Sequence, residues 1–206
     1  MLDFEIKYFK ENIKIIAGLD EAGRGPLCGP VVACVVLIDD KFKHVGINDS
    51  KALSEKKRNE YYEYILENAL EVQIEIIEPI EIDKLNIYQA SKKAMERALA
   101  KLNKIPDLVL TDCMPLIYKD KEVISLIKGD KLALSIAAAS IIAKVTRDKI
   151  MDQYDEKYPE YGFKNHKGYC TKAHLEAITK YGIIKGFYRE SYRPVKEILD
   201  ADLKLF

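Results

Sequence analysis

Apolar positions recur along this chain in two rhythms. Residues 13–19 and 31–38 are almost unbroken apolar runs rich in valine and isoleucine, the pattern of strands buried on both faces. Residues 72–77, 108–111 and 123–127 are three shorter runs of the same kind, which brings the strands to five. The second rhythm is helical. Tyr62, Ile65, Leu66 and Ala69 recur at the spacing of one helix face behind Ser54, a residue type that caps helix N-termini. A second helix is predicted over 82–102, with Ile87, Ala94, Ala98 and Leu102 on one side and Asn103 and Pro106 closing it. "SIAAASIIAKVTRDKI", 135–150, predicts a long helix whose Ala137, Ala138, Ala139, Ser140 and Ala143 let its backbone lie close against a sheet. After Tyr154 the chain turns to glycine, proline and aromatic punctuation. A short helix follows, capped by Thr171 and closed by Gly182, then a last one with Pro194 in its first turn. The reading is one α/β unit, with a core over 1–155 and a helical C-terminal part over 156–206.

Charge changes that picture only locally. Lys plus Arg and Asp plus Glu number 33 each, so the formal net charge is zero and bulk attraction to nucleic acid is excluded as an argument. Residues 163–196 nevertheless hold eight Lys/Arg against Glu176 and Glu190, a local excess of six, interleaved with Tyr181, Phe187, Tyr188 and Tyr192. Cys28, Cys34, Cys113 and Cys170 form no C-x-x-C pair, and a zinc site joining them to His166 or His174 would fit no familiar spacing. Reduced thiols in the cytoplasm are expected. The longest nearly apolar stretch, 132–145, is too short for a bilayer and is interrupted by Ser135, Ser140 and Lys144.

The candidate chemistry starts at "IAGLDEAGRGP", 16–26. Gly18 and Gly23 enclose four residues after an apolar run, as in a phosphate-cradling P-loop, yet Arg24 and Gly25 stand where that motif needs Lys and Ser or Thr. Asp20 and Glu21 inside the loop would also repel phosphate, unless a divalent cation held by them reverses the sign. Ligands of α/β sheets gather at strand ends. Asp20 and Glu21 follow the first run, Asp112 ends the fourth, and Asp130 follows the fifth. Four converging carboxylates raise one another's pKa unless cations neutralise them, and hard oxygen donors suit Mg²⁺ or Mn²⁺. Spacing alone therefore predicts metal-dependent phosphate chemistry.

"GLDEAGRGPLCGPVV", "INDSKALS", "EIDKLNIYQAS", "KGDKLALSIAAASIIAKVTRD" and "YGFKNHKGYCTKAHLEAITKYG" together resemble the successive signatures of the bacterial ribonuclease HII family, the prokaryotic type 2 ribonucleases H. The resemblance implies an RNase H-like fold, a mixed five-stranded sheet flanked by helices. It also implies a metal site made by Asp20, Glu21, Asp112 and Asp130, the four carboxylates picked out by the strand-end argument, with two Mg²⁺ or Mn²⁺ ions in the reacting complex. Gly23, Arg24 and Gly25 would grip the sugar-phosphate of a ribonucleotide, and Tyr169 would pack against its sugar. Lys51, His166 and Lys167 would contact backbone phosphate. The implied reaction is cleavage 5′ of ribonucleotides in RNA–DNA hybrids and in duplex DNA, leaving 3′-hydroxyl and 5′-phosphate ends, by a monomer with no membrane association. Ribonuclease HIII and a catalytically silent nucleic-acid binder are the alternatives. Arg24 between its glycines favours ribonuclease HII, and the four filled acidic positions favour an enzyme. Cys113, Cys170 and Tyr192 depart from the usual pattern without removing a ligand. The terminal "ADLKLF", with Leu203, Leu205 and Phe206, loosely resembles peptides that dock on the DNA sliding clamp.

Overall fold

β1 (Ile16–Ala22) and β2 (Val31–Ile38) pair antiparallel from Ile16↔Ile38 to Ala22↔Val32. β3 (Glu71–Ile77) adds antiparallel to the far edge of β2, while β4 (Leu108–Asp112) and β5 (Glu122–Leu126) add parallel on the β1 side. The sheet is thus five-stranded and mixed, in the order β3-β2-β1-β4-β5. The computed structural model describes residues 2–11, 13–43, 46, 47, 50 and 53–203. Lys51, Leu205 and Phe206 lie outside them, as does the side chain of Leu203.

Every residue of β2 is buried because both faces are covered. Val32, Cys34, Val36 and Ile38 join one hydrophobic cluster with the long helix α6 (Leu134–Lys157), and Val31, Ala33, Val35 and Leu37 join another with α4 (Ile87–Ala100). The small residues of α6 have the expected effect. A Cβ built on Gly18 in β1 would fall 2.1 Å from the carbonyl carbon of Ser135, so strand and helix meet backbone to backbone. A third cluster, formed by Met151, Tyr161, Phe163, Ile178, Phe187, Tyr188 and Val195, also takes in Leu27 and Cys28 from the loop after β1.

Three local readings need correction. β1 runs to Ala22, so Asp20 and Glu21 lie within it, opposite Cys34 and Ala33. Pairing with β4 stops at Leu19↔Thr111, and it is this divergence that frees their side chains. The helix expected over 82–102 is two helices, α3 (Pro79–Leu85) and α4. They are broken at Asn86, which sits at φ +67° and caps α4 by accepting a hydrogen bond from Gln89 N at 3.1 Å. The helix α1 (Leu2–Lys10) was not anticipated. Its Glu5 is fully buried and accepts from Leu134 N at 2.8 Å and Ser135 N at 2.7 Å, a distant substitute for the side-chain cap that α6 lacks. The predicted caps Ser54 of α2 (Glu55–Asn68) and Thr171 of α8 (Lys172–Tyr181) are present, and Gly182 closes α8.

Candidate active site

Where β1 parts from β4, a cleft of ≈ 640 Å³ opens, lined on its acidic side by Asp20, Glu21 and Asp112. Asp20 is buried; its Oδ1 accepts from Glu21 N at 2.7 Å, and Ser140 of α6 adds a side-chain hydrogen bond. Burial first, then the neighbouring Glu21 and Asp112 charges, hold its carboxyl well above the usual range. Glu21 Oε1 pairs with Arg24 Nη1 at 3.2 Å. Asp112 Oδ1 accepts from Gly129 N at 2.8 Å, which ties the end of β4 to the short helix α5 (Gly129–Leu132). These are hard oxygen donors crowded enough to penalise their own ionisation, and that donor set fits a divalent cation. Their spacing is more open than a closed coordination shell: among the described residues, no three carboxylate, imidazole or thiol groups stand together as a ready-made metal site.

The opposite wall is the Gly-Arg-Gly loop. Gly23 has φ +97°, and a Cβ there would come within 2.2 Å of Arg147 Nε and 2.7 Å of Pro30 O, so the turn requires glycine both conformationally and sterically. A Cβ on Gly25 would be 3.5 Å from Tyr169 Cε1, which places the exposed tyrosine ring beside the second glycine. Arg147 and Arg189, both buried, hold this loop from behind. Arg189 donates to Gly23 O, Arg24 O and Gly29 O, and Tyr192 Oη donates to Arg24 O at 2.6 Å. Tyr192, one of the departures from the family pattern, thereby gains a hydroxyl bond that phenylalanine could not make.

Tyr169 is held through its backbone by a histidine pair. The rings of His166 and His174 stack 4.2 Å apart. Tyr169 O, a carbonyl, can only accept from His174 Nδ1 at 2.9 Å, so the proton of that ring is on Nδ1 and Nε2 accepts from Tyr188 Oη at 2.8 Å. His166 has the opposite tautomer: Nδ1 accepts from Gly168 N, and Nε2 donates to Tyr161 O at 2.9 Å. Burial, the largest cause, pushes the His174 pKa down to about 4, which keeps it neutral.

Of the predicted site residues, Asp20, Glu21, Gly23, Arg24, Gly25, Asp112 and Tyr169 line this cleft. Asp130 does not; it is buried on α5, one residue from the Gly129 N–H that binds Asp112. His166 is turned to backbone groups, and Lys167 pairs with Asp152, so both support the loop from inside. Lys51 is outside the described residues. Ser140, Lys144, Arg147 and Arg58 also line the cleft and were missed. For the α6 residues a signal existed, since Ser140, Lys144 and Arg147 recur four and three apart on one face of the helix.

A mixed sheet with this order and a carboxylate-lined cleft at its strand divergence define an RNase H-like nuclease. The sequence profile described as Ribonuclease HII matches residues 17–195. The ribonuclease HII of Listeria monocytogenes serotype 4a is 55% identical over 197 residues, covering 96% of this chain and 75% of that protein. The crystal structure of ribonuclease H2 from Pyrococcus horikoshii OT3 superposes with TM-score 0.81 at 27% identity, over 92% of this chain and 99% of that one. A structure of the PCNA–RNase HII complex from Archaeoglobus fulgidus gives TM-score 0.72 at 26% identity, over 84% and 93% respectively. The chain belongs to the ribonuclease HII family. It is a type 2 ribonuclease H, a divalent-metal-dependent hydrolase acting on RNA–DNA. No helix among the described residues is long and apolar enough to cross a membrane.

Proposed function

We propose that this cleft hydrolyses the phosphodiester 5′ of a ribonucleotide, in RNA–DNA hybrids and at single ribonucleotides embedded in duplex DNA, and so removes misincorporated ribonucleotides and RNA primers. The observation that carries this reading is the facing of Asp20, Glu21 and Asp112 by the Gly25–Tyr169 pair across one cleft. Asp20, Glu21 and Asp112, with Asp130 behind Asp112, would hold two Mg²⁺ or Mn²⁺ ions, which when bound supply water activation and leaving-oxygen stabilisation.

The chain's own residues do the rest. Gly23 and Gly25 carry no side chain, so the backbone at those two positions can approach a sugar-phosphate closely. Tyr169 offers a ring face beside Gly25 for the sugar that carries the 2′-hydroxyl, the group that separates RNA from DNA. Arg24, paired with Glu21, links the two walls. Because the 2′-hydroxyl is read and does not attack, products end in 3′-hydroxyl and 5′-phosphate.

Nicking of a DNA duplex bearing one ribonucleotide, with Mg²⁺ and with EDTA, tests this. Metal-dependent cleavage 5′ of the ribonucleotide is expected. Cleavage of a hybrid alone would favour a ribonuclease HIII-like specificity, 2′,3′-cyclic phosphate ends would refute the mechanism, and no cleavage would leave a silent binder. The Archaeoglobus complex supports a second proposal, that the tail carrying Leu203, Leu205 and Phe206 docks on the sliding clamp. Unchanged clamp binding after deletion of Leu205 and Phe206 would end it.

A further inference from the structure

Arg147 and Arg189 are the two largest side chains in the fully buried interior, and among the described residues neither forms an ion pair with a carboxylate. Arg147 donates to Cys28 O at 3.1 Å, Pro30 O at 3.0 Å and Lys167 O at 3.0 Å. Arg189 donates to Gly23 O at 2.5 Å, Arg24 O at 2.9 Å and Gly29 O at 2.9 Å, and to Tyr192 Oη at 3.0 Å. All of these acceptors are uncharged. The carboxylates near enough to act on them, Asp148 and Asp83, are otherwise engaged: Asp148 with Lys144 at 2.6 Å, Asp83 with Glu190 N, Ser191 N and the Ser191 hydroxyl. Burial and the neighbouring Arg189 push the Arg147 pKa down to about 10, so it remains charged at neutral pH.

Buried charges are ordinarily paired, because carbonyl dipoles replace only part of the lost hydration. Here two cations lie under one loop, each raising the cost of the other. The loop carries no net counter-charge of its own, since Arg24 adds a third cation and its only ion-pair partner among the described residues is Glu21.

We infer that Arg147 and Arg189 are positioning residues for the nuclease reaction: Arg189 fixes the Gly-Arg-Gly loop by its carbonyls, Arg147 packs under Gly23 and ties the flanking Cys28, Pro30 and Lys167 carbonyls to α6, and together they leave behind the loop a positive charge whose counter-ion is a phosphate of the bound strand. The inference rests on the reading of the cleft as the substrate site. It makes the loop a preorganised anion seat in which binding the strand completes the electrostatics of the fold. Neither guanidinium needs to touch the phosphate.

The test compares Arg189→Lys and Arg189→Met with wild type on the duplex bearing one ribonucleotide, with KM and kcat measured across a salt series. Arg189→Met is expected to raise KM about tenfold, with a smaller change in kcat, and to flatten the dependence of log KM on log salt by about one unit, the signature of one fewer neutralised phosphate. Arg189→Lys, which keeps the charge and loses the planar fork, should retain the wild-type salt slope. Equal slopes for wild type and Arg189→Met would overturn the inference, as would an Arg189→Lys slope as flat as that of Arg189→Met, because a purely structural staple moves stability and not salt dependence. Should Arg189→Met fail to fold, the wild-type unfolding temperature titrated with low-millimolar inorganic phosphate at constant ionic strength decides: a rise that saturates at low phosphate is expected, and a flat or merely linear response, the general effect of an excluded salt, would refute the idea. If wild type neither binds nor cleaves the duplex, the functional reading fails by itself, while the phosphate measurement still reports on the arginine pair.

Discussion

The acidic wall of the cleft and the loop wall opposite it are assembled by different means. Asp20, Glu21 and Asp112 are delivered by adjacent strands, and Asp20 and Asp112 are fixed by nearby backbone groups, Glu21 N and Gly129 N. The Gly-Arg-Gly loop is held by residues from the other end of the chain, with Arg189 reaching Gly23 and Arg24 across more than 160 positions. The first wall carries negative charge and the second positive charge, and the Glu21–Arg24 pair cancels one charge on each. Chemistry depends on the first and recognition of the strand on the second, so damage to each should show in different kinetic constants.

The largest effect should come from the acidic wall. Asp112→Asn or Asp20→Asn is expected to lower kcat about 10³-fold or more, the several kcal/mol assigned to lost charge stabilisation at phosphorus, while duplex binding survives. Next is Gly23→Ala, which meets Arg147 Nε and forces an L-residue to φ +97°. It should cost about 1–3 kcal/mol of stability and raise KM with kcat less affected, as thermal unfolding and steady-state kinetics would reveal. A fall in kcat as deep as that of Asp112→Asn would erase the division between the walls.

The support behind Tyr169 supplies a pH-dependent contrast. The pKa of His174 is lowered on folding, so between its unfolded value near 6.5 and about 4 the unfolded chain binds more protons. Its contribution to stability is therefore complete above about pH 6.5 and is lost as pH falls toward 4. A His174→Phe variant should be less stable at pH 7 by about 1–3 kcal/mol, since Tyr188 Oη and Tyr169 O lose a partner, and its unfolding temperature should fall less steeply from pH 6.5 to 4. The smallest effect is expected from Lys167→Met. The pair with Asp152 is partly exposed, 18% for Lys167 and 38% for Asp152, so kcat/KM should stay within about twofold while stability falls by about 1 kcal/mol. A large rise in KM would return Lys167 to the substrate.

β2 was legible because a strand covered on both faces must be apolar at every position, and it is so throughout; β3 and β5, less buried, were marked by short β-branched runs. The end of β1 was not, since Asp20 and Glu21 disfavour strand locally and are kept in it by pairing with Cys34 and Ala33. The break at Asn86 was hidden in a continuous helical periodicity, with only the tolerance of asparagine for positive φ to mark it. Asp20, Glu21 and Asp112 were legible as strand-end carboxylates; Asp130 was placed with them and sits one step behind, on α5. Least visible were Glu5 and Arg189. Their partners are backbone groups far away in the chain, and a backbone carbonyl leaves no trace in residue type.

The contact between Gly18 and Ser135 has a mechanical consequence. With no room even for a methyl group between β1 and α6, these two elements move as one beam, and Asp20 on the strand keeps a fixed distance from Ser140, Lys144 and Arg147 on the helix. Arg147 ties the carbonyls of Cys28, Pro30 and Lys167 to that same beam, so both walls of the cleft are referred to one rigid frame, and a single hydrogen atom at position 18 is what lets that frame close.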